Sequence, residues 1–582
     1  MRSGLPTSCF DSSVLANDSS LNEAAVEKSP HDASENIGSL ISRMAASRAN
    51  QAAIVMSARR SAIGAPGRMS ISFADLEAYS NQVANGLANF GVQRGLRTLL
   101  MVRPGVDFVA TAFALFKIGA VPVLIDPGMG VGRMLDCIRQ VDVEAFIGIP
   151  RAQALRLIKP AAFPSVRHVV TVGSRWRWGG TTLTELSRSE SSRFDPAQTS
   201  TSDVAAILFT SGSTGPAKGV VYEHGMFAAQ VRMIQAFYGI EPGEVDLPAF
   251  PLFALFSIGM GMTAVIPDMD PSRPARTPPE RMVSAILEHG VTSSFGSPAI
   301  WRRVGPYCVE RGIRLPTIRR ILIAGASVPA ATIQQLLSVI PETADVHTPY
   351  GATEALPVAS IGGRELLAGL ADRTLDGAGT CVGRLLPGTE LRILRVTNEP
   401  LASMRSEDEV RPGEAGELAV SGPVVTREYF RLPDATRAAK IVAGDRIWHR
   451  MGDIGCWDEQ GRVWFHGRKS HRVWTLAGPM DTDRCEPVFN AHPDVVRSAL
   501  VGVGTKGAQT PVMVIEPRHG AFPRRLRDRE RFLDELLARA RHCDTTRVIS
   551  RFLFHPSLPV DVRHNAKINR EALAEWAAKQ LP

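Results

Sequence analysis

The sequence predicts an α/β protein with a large first domain and a small α+β domain at its carboxyl end. Three observations lead to this prediction: a length of 582 residues, a repeated strand–helix–strand order, and a change of composition after about residue 380. A typical domain has about 100–150 residues, so a chain of this length is expected to fold into several units. Hydrophobic residues make up 44% and charged residues 21%, ordinary values for a globular protein that exclude wholesale disorder.

The strand–helix alternation begins after a polar lead. Residues 1–36 are rich in Ser, Asn, Asp and Glu without periodicity, and we predict that they are disordered. Apolar residues at helical spacing then predict a helix that starts at Phe73, and short apolar runs predict buried strands. Those strands are residues 98–102, 121–125, 145–149, 168–172, 204–209 and 320–324. Strands that alternate with helices are typical of parallel sheets.

The composition changes after about residue 380, where glycines separate short strands at 390–394 and 417–420. This pattern predicts a small β-subdomain. A second break follows residues 465–472, and the remaining chain contains strands at 499–503 and 512–515 and a charged helix at 524–542. We therefore predict a first domain at 37–467 and a second at 468–582.

Charge and cysteine content narrow the class of protein. Sixty-six basic residues against 58 acidic ones give a net charge of +8, which fits an anionic small-molecule partner, although an arginine-rich genome explains it equally well. Aromatic residues make up only 6%, which argues against a base-stacking surface for nucleic acid. The seven cysteines are spread singly without a CxxC pair, as expected in a reducing compartment. The most apolar stretch, 109–125, contains Lys117 and is too short to span a bilayer, and no secretory signal is recognisable, so we expect a cytoplasmic protein without an integral membrane segment.

The strongest chemical signal is a loop rich in glycine and hydroxyl residues directly after the strand at 204–209. The loop comprises Thr210, Ser211, Gly212, Ser213, Thr214 and Gly215, with Lys218 close behind. Glycines let backbone amides approach phosphate oxygens, hydroxyls add donors, and a lysine neutralises charge. The spacing differs from that of a Walker loop. The sequence therefore predicts a polyphosphate-binding loop, with a purely structural Ser/Gly turn as the alternative.

This loop resembles the signature loop of the adenylate-forming superfamily, which includes acyl-CoA synthetases, acyl-AMP ligases, adenylation domains and luciferases. Further motifs similar to those of the family follow in order over about residues 40–580. The resemblance implies a large N-terminal domain of two α/β subdomains and a small β-subdomain, a small mobile C-terminal domain, and ATP and Mg²⁺ as cofactors.

The resemblance also implies roles for individual residues. Lys567, Glu354, Lys218 and Thr210 would be catalytic, and Glu354 and Thr214 would hold Mg²⁺. The ATP and AMP site would comprise residues 210–215, Lys218 and the adenine-side turn Gly325, Ala326 and Ser327. It would also include the motif residues Tyr350, Gly351 and Thr353, with Tyr350 on the adenine and Thr353 at the α-phosphate. Asp453 and Arg468 would contact the ribose. Lys469 and Ser470 would form the hinge, and Lys567 would be the mobile adenylation lysine.

An apolar segment at 247–262 follows the phosphate loop where the family builds its acyl pocket. Its residues Phe250, Phe253, Phe256 and Met260 predict a pocket for a hydrocarbon tail, with ordinary core as the alternative, since core and pocket walls share this composition. The segment contains no Asp to bind an amino-acid ammonium, which disfavours amino-acid activation.

The region after the hinge departs from the pattern of acyl-CoA synthetases. Ser470 occupies the pivot, where an acidic residue is usual, and the predicted strand 476–481 contains Pro479 and Asp481. A proline cannot donate a ladder hydrogen bond, and Asp481 stands where an apolar residue is usual. These differences argue against a CoA-dependent thioester step.

The nearest resemblance is to the β-lactone synthetases of bacterial long-chain olefin biosynthesis. It is carried by residues 205–215, 265–275, 348–358, 449–453 and 559–568. The resemblance implies adenylation of a long-chain 2-alkyl-3-hydroxy fatty acid, then attack of its own 3-hydroxyl to give a β-lactone and AMP. It also implies a condensing enzyme, an NADPH-dependent reductase and a β-lactone decarboxylase as partners.

Two other functions remain open at this stage: a long-chain fatty acyl-CoA synthetase or acyl-AMP ligase, and a non-enzymatic binding protein. His224, His471 and His564 are weak candidates for the base that would activate the 3-hydroxyl, because each is more typical of a structural or solvated histidine. Acyl chain length, stereochemistry and oligomeric state do not follow from the sequence.

Overall fold

The computed structural model describes residues 35–57, 69–188, 191–209, 216–250, 252–270, 272–560 and 568–581. The strands in these ranges form five sheets. The predicted disordered lead lies outside the described residues, except for its last two positions.

The first sheet, sheet A, has seven strands and contains the predicted parallel units. Its strands, in spatial order, are Thr181–Thr182, His168–Thr171, Ala145–Gly148, Arg97–Met101, Val121–Ile125, Val204–Phe209 and Gly219–Glu223. All neighbours are parallel except the last pair, which is antiparallel. The prediction of strand–helix–strand units is therefore confirmed.

Sheet B also has seven strands. In spatial order they are Asp345–His347, Arg320–Ile323, Ser293–Gly296, Val245–Pro248, Thr263–Ile266, Ala52–Met56 and Met69–Ser72. Only the last pair is antiparallel. The largest buried cluster includes side chains of both sheets, such as Ile147 and Ala264, and of helices that pack between them, such as Phe113 and Phe227.

The helices connect and cover these sheets. They are Ser39–Arg48, Phe73–Asn89, Val106–Ile118, Val131–Val141, Pro150–Ile158, Leu183–Ser187, His224–Phe237, Phe253–Gly259, Pro279–His289, Pro298–Glu310, Ala330–Leu337, the kinked run Gly363–Glu365, Leu366–Leu370 and Ala371–Leu375, then Pro433–Ala439, Thr482–Asn490, Leu526–His542 and Arg570–Gln580. The helix at Phe73 begins where predicted, because Ser72 Oγ accepts a hydrogen bond from the Asp75 amide and caps the first turn.

The most apolar stretch forms a buried helix followed by a strand of sheet A. Lys117 interrupts it, and its Nζ donates to Glu77 Oε2 at 2.6 Å, to Ser80 Oγ at 2.7 Å and to Asn81 Oδ1 at 2.6 Å. A buried ammonium with three such partners is satisfied inside the core. In the part of the chain that the structure describes, no helix has the length and apolar character needed to cross a membrane.

Sheet C is antiparallel and forms the β-subdomain. Its strands are Tyr350–Ala352, Ala355–Ser360, Thr380–Leu385, Val463–Arg468, Arg446–Trp457, Gly416–Ser421 and Glu390–Leu394, with Lys440–Ala443 paired beside Arg446–Trp457. The sheet starts one hairpin earlier than the composition change near residue 380 predicts. The reason is that the strands of the Tyr350 motif, which lie before the glycine-rich region, also pair into this sheet.

The end of the chain forms an α+β unit, as predicted. It contains a hairpin of Val473–Thr475 and Gly478–Met480 and a sheet of Val495–Val503, Thr510–Pro517 and Arg551–Phe554. The predicted strand at 476–481 is wrong at its start, because Leu476 and Ala477 form the turn of the hairpin. Hydrogen bonds from Arg484 Nε to Gly377 O at 2.9 Å and from Cys543 Sγ to Asp376 O at 3.2 Å connect this unit to the preceding chain.

Candidate active site

The strand Gly219–Glu223 connects the predicted phosphate loop to the Tyr350 motif. Its Tyr222 Oη donates to Thr353 O at 2.6 Å, and its Gly219 O accepts from the Phe430 amide at 2.8 Å. The loop residues Thr210, Ser211, Gly212, Ser213, Thr214 and Gly215, and the C-terminal Lys567, lie outside the described residues. The strands at both ends of the loop, Val204–Phe209 and Gly219–Glu223, pair with each other.

Asp453 and Tyr350, predicted to contact the nucleoside, are in direct contact. Tyr350 Oη donates to Asp453 Oδ2 at 2.5 Å, and Arg468 Nη1 lies 3.0 Å from Asp453 Oδ1 as an ion pair. Arg468 Nη1 also donates to Met451 O at 3.1 Å. The structure therefore brings together three of the predicted residues at one buried carboxylate, whose Oδ1 is paired with the Arg468 charge.

Burial dominates the electrostatics of this carboxylate. Asp453 is 2% exposed, and desolvation raises its pKa, while the Arg468 guanidinium opposes the shift. Burial and the neighbouring Asp453 carboxylate raise the pKa of the Tyr350 phenol, so it remains a donor at neutral pH. An accepting oxygen in this setting suits a hydroxyl group of a ligand.

Glu354, the predicted Mg²⁺ ligand, is held by a residue from a distant part of the chain. Tyr429 Oη donates to Glu354 Oε1 at 2.7 Å. The main-chain oxygen of Glu354 accepts from the amide of Thr426 at 2.9 Å and from its Oγ1 at 3.1 Å. These bonds fix both the backbone and the carboxylate of Glu354.

Two lysines lie near Glu354. Lys218 Nζ is 4.7 Å from the centre of the Tyr429 ring, and Lys440 Nζ is 6.0 Å from it and donates to Thr426 Oγ1 at 2.9 Å. Burial lowers the pKa of the Lys440 ammonium to about 7, and the Glu354 carboxylate opposes that shift. Burial and the Lys440 charge also lower the pKa of His449, which pairs with Lys440 across two strands. Burial thus disfavours a full positive charge on Lys440 and His449, although the Glu354 carboxylate favours the charge on Lys440.

The predicted adenine-side turn Gly325–Ser327 directly follows the strand Arg320–Ile323 at its carboxyl end. Gly325 has φ of +100°, a conformation that L side chains rarely adopt, and both Gly325 and Ser327 are exposed. Gly351 is required by close packing, because a Cβ there would lie 2.7 Å from Ala355 O. These glycines explain the tight backbone at the predicted nucleotide side.

The apolar segment after the phosphate loop contributes to both core and pocket. Phe253, Phe256 and Met260 line a pocket with about 600 Å³ of empty space, part of it open to solvent. Phe250 does not line this pocket; its ring packs against that of Phe253, with centroids 5.9 Å apart.

A carboxyl group also lines this pocket. Asp246 lies one position before the apolar segment, and its Oδ2 accepts from Ser257 Oγ at 2.6 Å. Burial raises the pKa of Asp246 to about 7. The segment 247–262 contains no Asp, but the pocket still has one carboxyl group in its wall, that of Asp246.

A second, smaller pocket has about 280 Å³ of empty space, part of it open to solvent. Its wall is entirely apolar and consists of Ile37, Leu40, Phe113, Phe116, Phe227, Val231, Leu255 and Phe256. Phe256 is the residue that both pockets share.

The predicted hinge lies between sheet C and the C-terminal unit. Lys469 Nζ is bound to both carboxylate oxygens of Glu417 at 2.9 Å and to Thr397 O at 3.0 Å, whereas Ser470 is exposed. Gly467 has φ of +128°, and a Cβ there would meet Thr482 Oγ1 at 2.5 Å. Lys469 is therefore held by Glu417, whereas the next residue, Ser470, is exposed.

The histidines proposed as bases do not suit that role where the structure describes them. Burial lowers the pKa of His224 to about 4, and its Nδ1 accepts from the Ile37 amide at 3.2 Å. Burial and the charges of Arg570 and Arg468 lower the pKa of His471 to about 3. A general base works best with a pKa near the operating pH. His564 lies outside the described residues.

The sequence reasoning missed Tyr222, Gln230, Tyr429 and Lys440. None belongs to one of the motifs used for the prediction, and each meets the motif residues through contacts distant in sequence. A buried polar side chain inside an apolar helix, as at Gln230, was the available signal.

Comparison with known proteins identifies the family. Residues 42–430 match the family model described as AMP-binding enzyme. The chain belongs to this family. Its described residues place the predicted nucleotide contacts of this AMP-binding enzyme, Tyr350, Asp453 and Arg468, around one carboxylate.

Two curated relatives cover almost the whole chain. Olefin beta-lactone synthetases of Stenotrophomonas maltophilia and Xanthomonas campestris pv. campestris are each 46% identical, over 94% of this chain and 98% of the relative. A long-chain-fatty-acid–CoA ligase of Thermus thermophilus is 24% identical over 77% of this chain and 81% of its own.

Solved structures share the fold. The amide bond synthetase McbA of Marinactinospora thermotolerans superposes with a TM-score of 0.75 at 22% identity, over 93% of this chain and 99% of its own. ATP-bound MatB of Rhodopseudomonas palustris superposes with a TM-score of 0.73 at 20% identity, over 93% and 99%. The fold is that of adenylate-forming enzymes, with a large N-terminal and a small C-terminal domain.

Proposed function

We propose that this AMP-binding enzyme is a β-lactone synthetase. It would adenylate a long-chain 2-alkyl-3-hydroxy fatty acid with ATP and then close the acyl adenylate to a β-lactone. The observation that carries the proposal is the 46% identity, over 94% of the chain, to two olefin beta-lactone synthetases. The pocket lined by Phe253, Phe256 and Met260 supports an acid with a hydrocarbon chain.

The first half-reaction needs a site for ATP. In our proposal Oδ1 of Asp453 accepts a ribose hydroxyl beside its ion pair with Arg468, and Tyr350 lies against the adenine. The loop at 210–215 and Lys218 bind the phosphates, and Lys567 reaches the reacting phosphoryl group. Attack of the substrate carboxylate on the α-phosphorus breaks the bond to pyrophosphate, and the cations offset the charge that develops.

The described residues fit a single Mg²⁺ ion that accompanies ATP. They contain no cluster of three or more metal-ligating side chains, and Mg²⁺ in nucleotide sites is usually held by one or two carboxylates and by phosphates. Glu354, oriented by Tyr429, would hold it, with Thr214 as the second protein ligand. Bound there, the ion would neutralise charge on the phosphate oxygens.

The second half-reaction is intramolecular. The substrate 3-hydroxyl oxygen attacks the acyl carbon, the bond from that carbon to the AMP oxygen breaks, and the hydroxyl proton is released with AMP. A hydroxyl held beside the acyl carbon has an effective concentration of roughly 10⁵–10⁸ M. This advantage opposes the strain of a four-membered ring, and the apolar pocket limits hydrolysis of the adenylate.

The hairpin after the hinge supports a reaction without CoA. Pro479 stands in one of its strands, and Asp481 is held by Arg472, whose Nε donates at 2.6 Å and whose Nη2 donates at 3.2 Å. A buried carboxylate engaged in this way replaces the apolar residue usual beside a CoA tunnel. The alternative is a long-chain fatty acyl-CoA synthetase or fatty acyl-AMP ligase.

The wider context is part of the proposal. We divide the chain into a lead at 1–36, an AMP-binding domain at 37–467 and a mobile domain at 468–582. We place the protein in the cytoplasm, where it would receive its hydroxy acid from an NADPH-dependent reductase, acting after a thiolase-like condensing enzyme, and pass the lactone to a decarboxylase.

Mass spectrometry of the product tests the function. The full-length protein is incubated with ATP, Mg²⁺ and a 2-alkyl-3-hydroxy acid, with and without CoA, alongside the matched acid without the hydroxyl. We expect β-lactone and AMP from the hydroxy acid without CoA, and an adenylate that stays bound from the matched acid. Strict dependence on CoA, or a thioester as the main product, would establish the alternative.

A further inference from the structure

Gln230 is a buried polar residue in the wall of the acyl pocket. It lies in the helix His224–Phe237, it is 1% exposed, and it lines the pocket together with Ile234, one turn further along. The pocket is otherwise largely apolar, so a buried amide there requires partners.

The Gln230 amide has two polar neighbours, the Tyr222 phenol and the main-chain oxygen of Leu356. Its Nε2 donates to Leu356 O at 2.8 Å, which identifies the nitrogen because a carbonyl oxygen can only accept. The other arm of the amide, Oε1, is buried and has no hydrogen-bond partner among the described residues. Gln230 therefore offers one unused acceptor.

The other polar groups of the pocket wall are already engaged. Asp246 accepts from Ser257 Oγ at 2.6 Å, and Tyr238 Oη donates to Ser360 Oγ at 3.0 Å. Among the lining residues that the structure describes, Gln230 is the one with a buried side-chain acceptor left without a partner.

Gln230 also lies close to the nucleotide motif. Its partner Leu356 follows Glu354 by two residues, and Tyr222 from the adjoining strand donates to Thr353 O at 2.6 Å. The acid carboxyl must meet the α-phosphate beside Thr353. A 3-hydroxyl, two carbons from the carboxyl carbon, then falls in the first part of the pocket.

We propose that Oε1 of Gln230 accepts a hydrogen bond from the 3-hydroxyl of the substrate, and so selects and orients the acid for ring closure. This inference rests on the proposed function. With its hydrogen directed at Oε1, the hydroxyl oxygen keeps its lone pairs free for attack on the acyl carbon. The contact also satisfies the unused acceptor, which an acid without the hydroxyl leaves unpaired.

The test compares matched acids, with and without the 3-hydroxyl, in ATP–pyrophosphate exchange catalysed by the full-length protein. This assay reports binding and adenylation and does not depend on ring closure. For the wild type we expect a KM for the hydroxy acid roughly tenfold lower than for the matched acid, as one hydrogen bond allows. Gln230→Met, similar in length but without an acceptor, should bring the ratio close to one.

Two variants separate hydroxyl binding from a structural role. Gln230→Glu should retain the preference, because burial favours a protonated carboxyl that donates to Leu356 O and keeps one accepting oxygen. Ile234→Val, on the same helix face, should change both KM values by the same factor. Equal KM values for the two acids in the wild type, or an unchanged ratio in Gln230→Met, overturn the inference; the wild-type ratio decides even if a variant fails to fold. Failure of the proposed function is seen separately, as absence of β-lactone from the wild type with the hydroxy acid.

Discussion

Tyr429 Oη donates a hydrogen bond of 2.7 Å to Glu354 Oε1, across 75 positions of sequence. Tyr429 is 5% exposed, and its ring also faces the Lys218 ammonium at 4.7 Å. One tyrosine therefore connects the carboxylate proposed to hold Mg²⁺ with a cation proposed to bind phosphate. Burial and the Glu354 carboxylate raise the pKa of Tyr429, so it donates throughout the working pH range.

Tyr429→Phe should raise the Mg²⁺ concentration required for half-maximal AMP formation by about tenfold. Hydrogen bonds to charged groups contribute about 1.5–3 kcal/mol, and without this one the carboxylate rotates more freely. Titration of Mg²⁺ at saturating ATP measures the effect. Tyr79→Phe is the matched control, because it removes a bond of 2.8 Å to Asp107 away from the site. If Tyr429→Phe requires the same Mg²⁺ concentration as the wild type, Tyr429 does not contribute to Mg²⁺ binding.

Asp453→Asn should raise the KM for ATP by roughly ten- to a hundredfold. The amide can still accept from Tyr350 but loses its charge toward Arg468 and weakens the proposed contact with the ribose. Initial rates at varied ATP measure KM. Asp434→Asn, at an exposed helix position, should behave as the wild type. If both variants keep the wild-type KM, Asp453 does not bind the nucleotide.

Lys567→Ala and Glu354→Ala should each lower AMP formation by roughly two to three orders of magnitude while the fold survives. The prediction for Lys567 rests on the family motif alone. Single-turnover AMP release measures both variants, and circular dichroism checks the fold. Lys579→Ala, at an exposed position of the last helix, is the control. Near wild-type release by Lys567→Ala would remove this lysine from the mechanism.

Ser470→Pro should slow turnover several-fold if the C-terminal domain rotates between the two half-reactions. Proline fixes its own φ and restricts Lys469 before it, which is bound to Glu417. Ser470→Ala keeps the backbone freedom and should match the wild type. Steady-state kinetics compare the three proteins. Identical rates for the proline variant would mean that one domain arrangement serves both steps.

Asp246→Asn should change the Tm of the protein more favourably at pH 8 than at pH 5. Burial raises the pKa of Asp246 from 3.8 to about 7, so the folded state holds the proton more tightly than the unfolded state. The stability from this group is complete below pH 3.8 and is lost as pH rises toward 7. The Arg320 charge reduces the loss without removing it. The difference in Tm between variant and wild type, measured at both pH values, should be more positive at pH 8; equal differences would contradict the raised pKa.

Local patterns were sufficient to predict the parallel sheets. The strand Val121–Ile125 is a continuous apolar run bounded by turns, and its length and burial follow from that pattern alone. Asp453 is singled out by the likeness of residues 449–453 to a family motif, and it lies inside the strand Arg446–Trp457. Its role in nucleotide binding stays a prediction.

Contacts between distant segments could not be predicted in this way. Gln230 and Leu356 are 126 positions apart, and nothing in either segment indicates the other. Lys440 stands in a short strand where a lysine is ordinarily exposed, yet it is buried beside Thr426, in a strand that pairs antiparallel with Arg446–Trp457. Such residues depend on tertiary packing, which is decided by the whole chain.

Phe256 forms part of the wall of both apolar pockets. Because this one ring borders both pockets, a smaller side chain at position 256 would enlarge both pockets, and a bulkier one would narrow both. A branched acid that placed one chain in each space would meet the same residue twice. A substitution of Phe256 would then change the accepted length of both alkyl chains together. A change in the length of one chain alone would require substitution of a residue that borders one pocket, such as Met260 or Leu40.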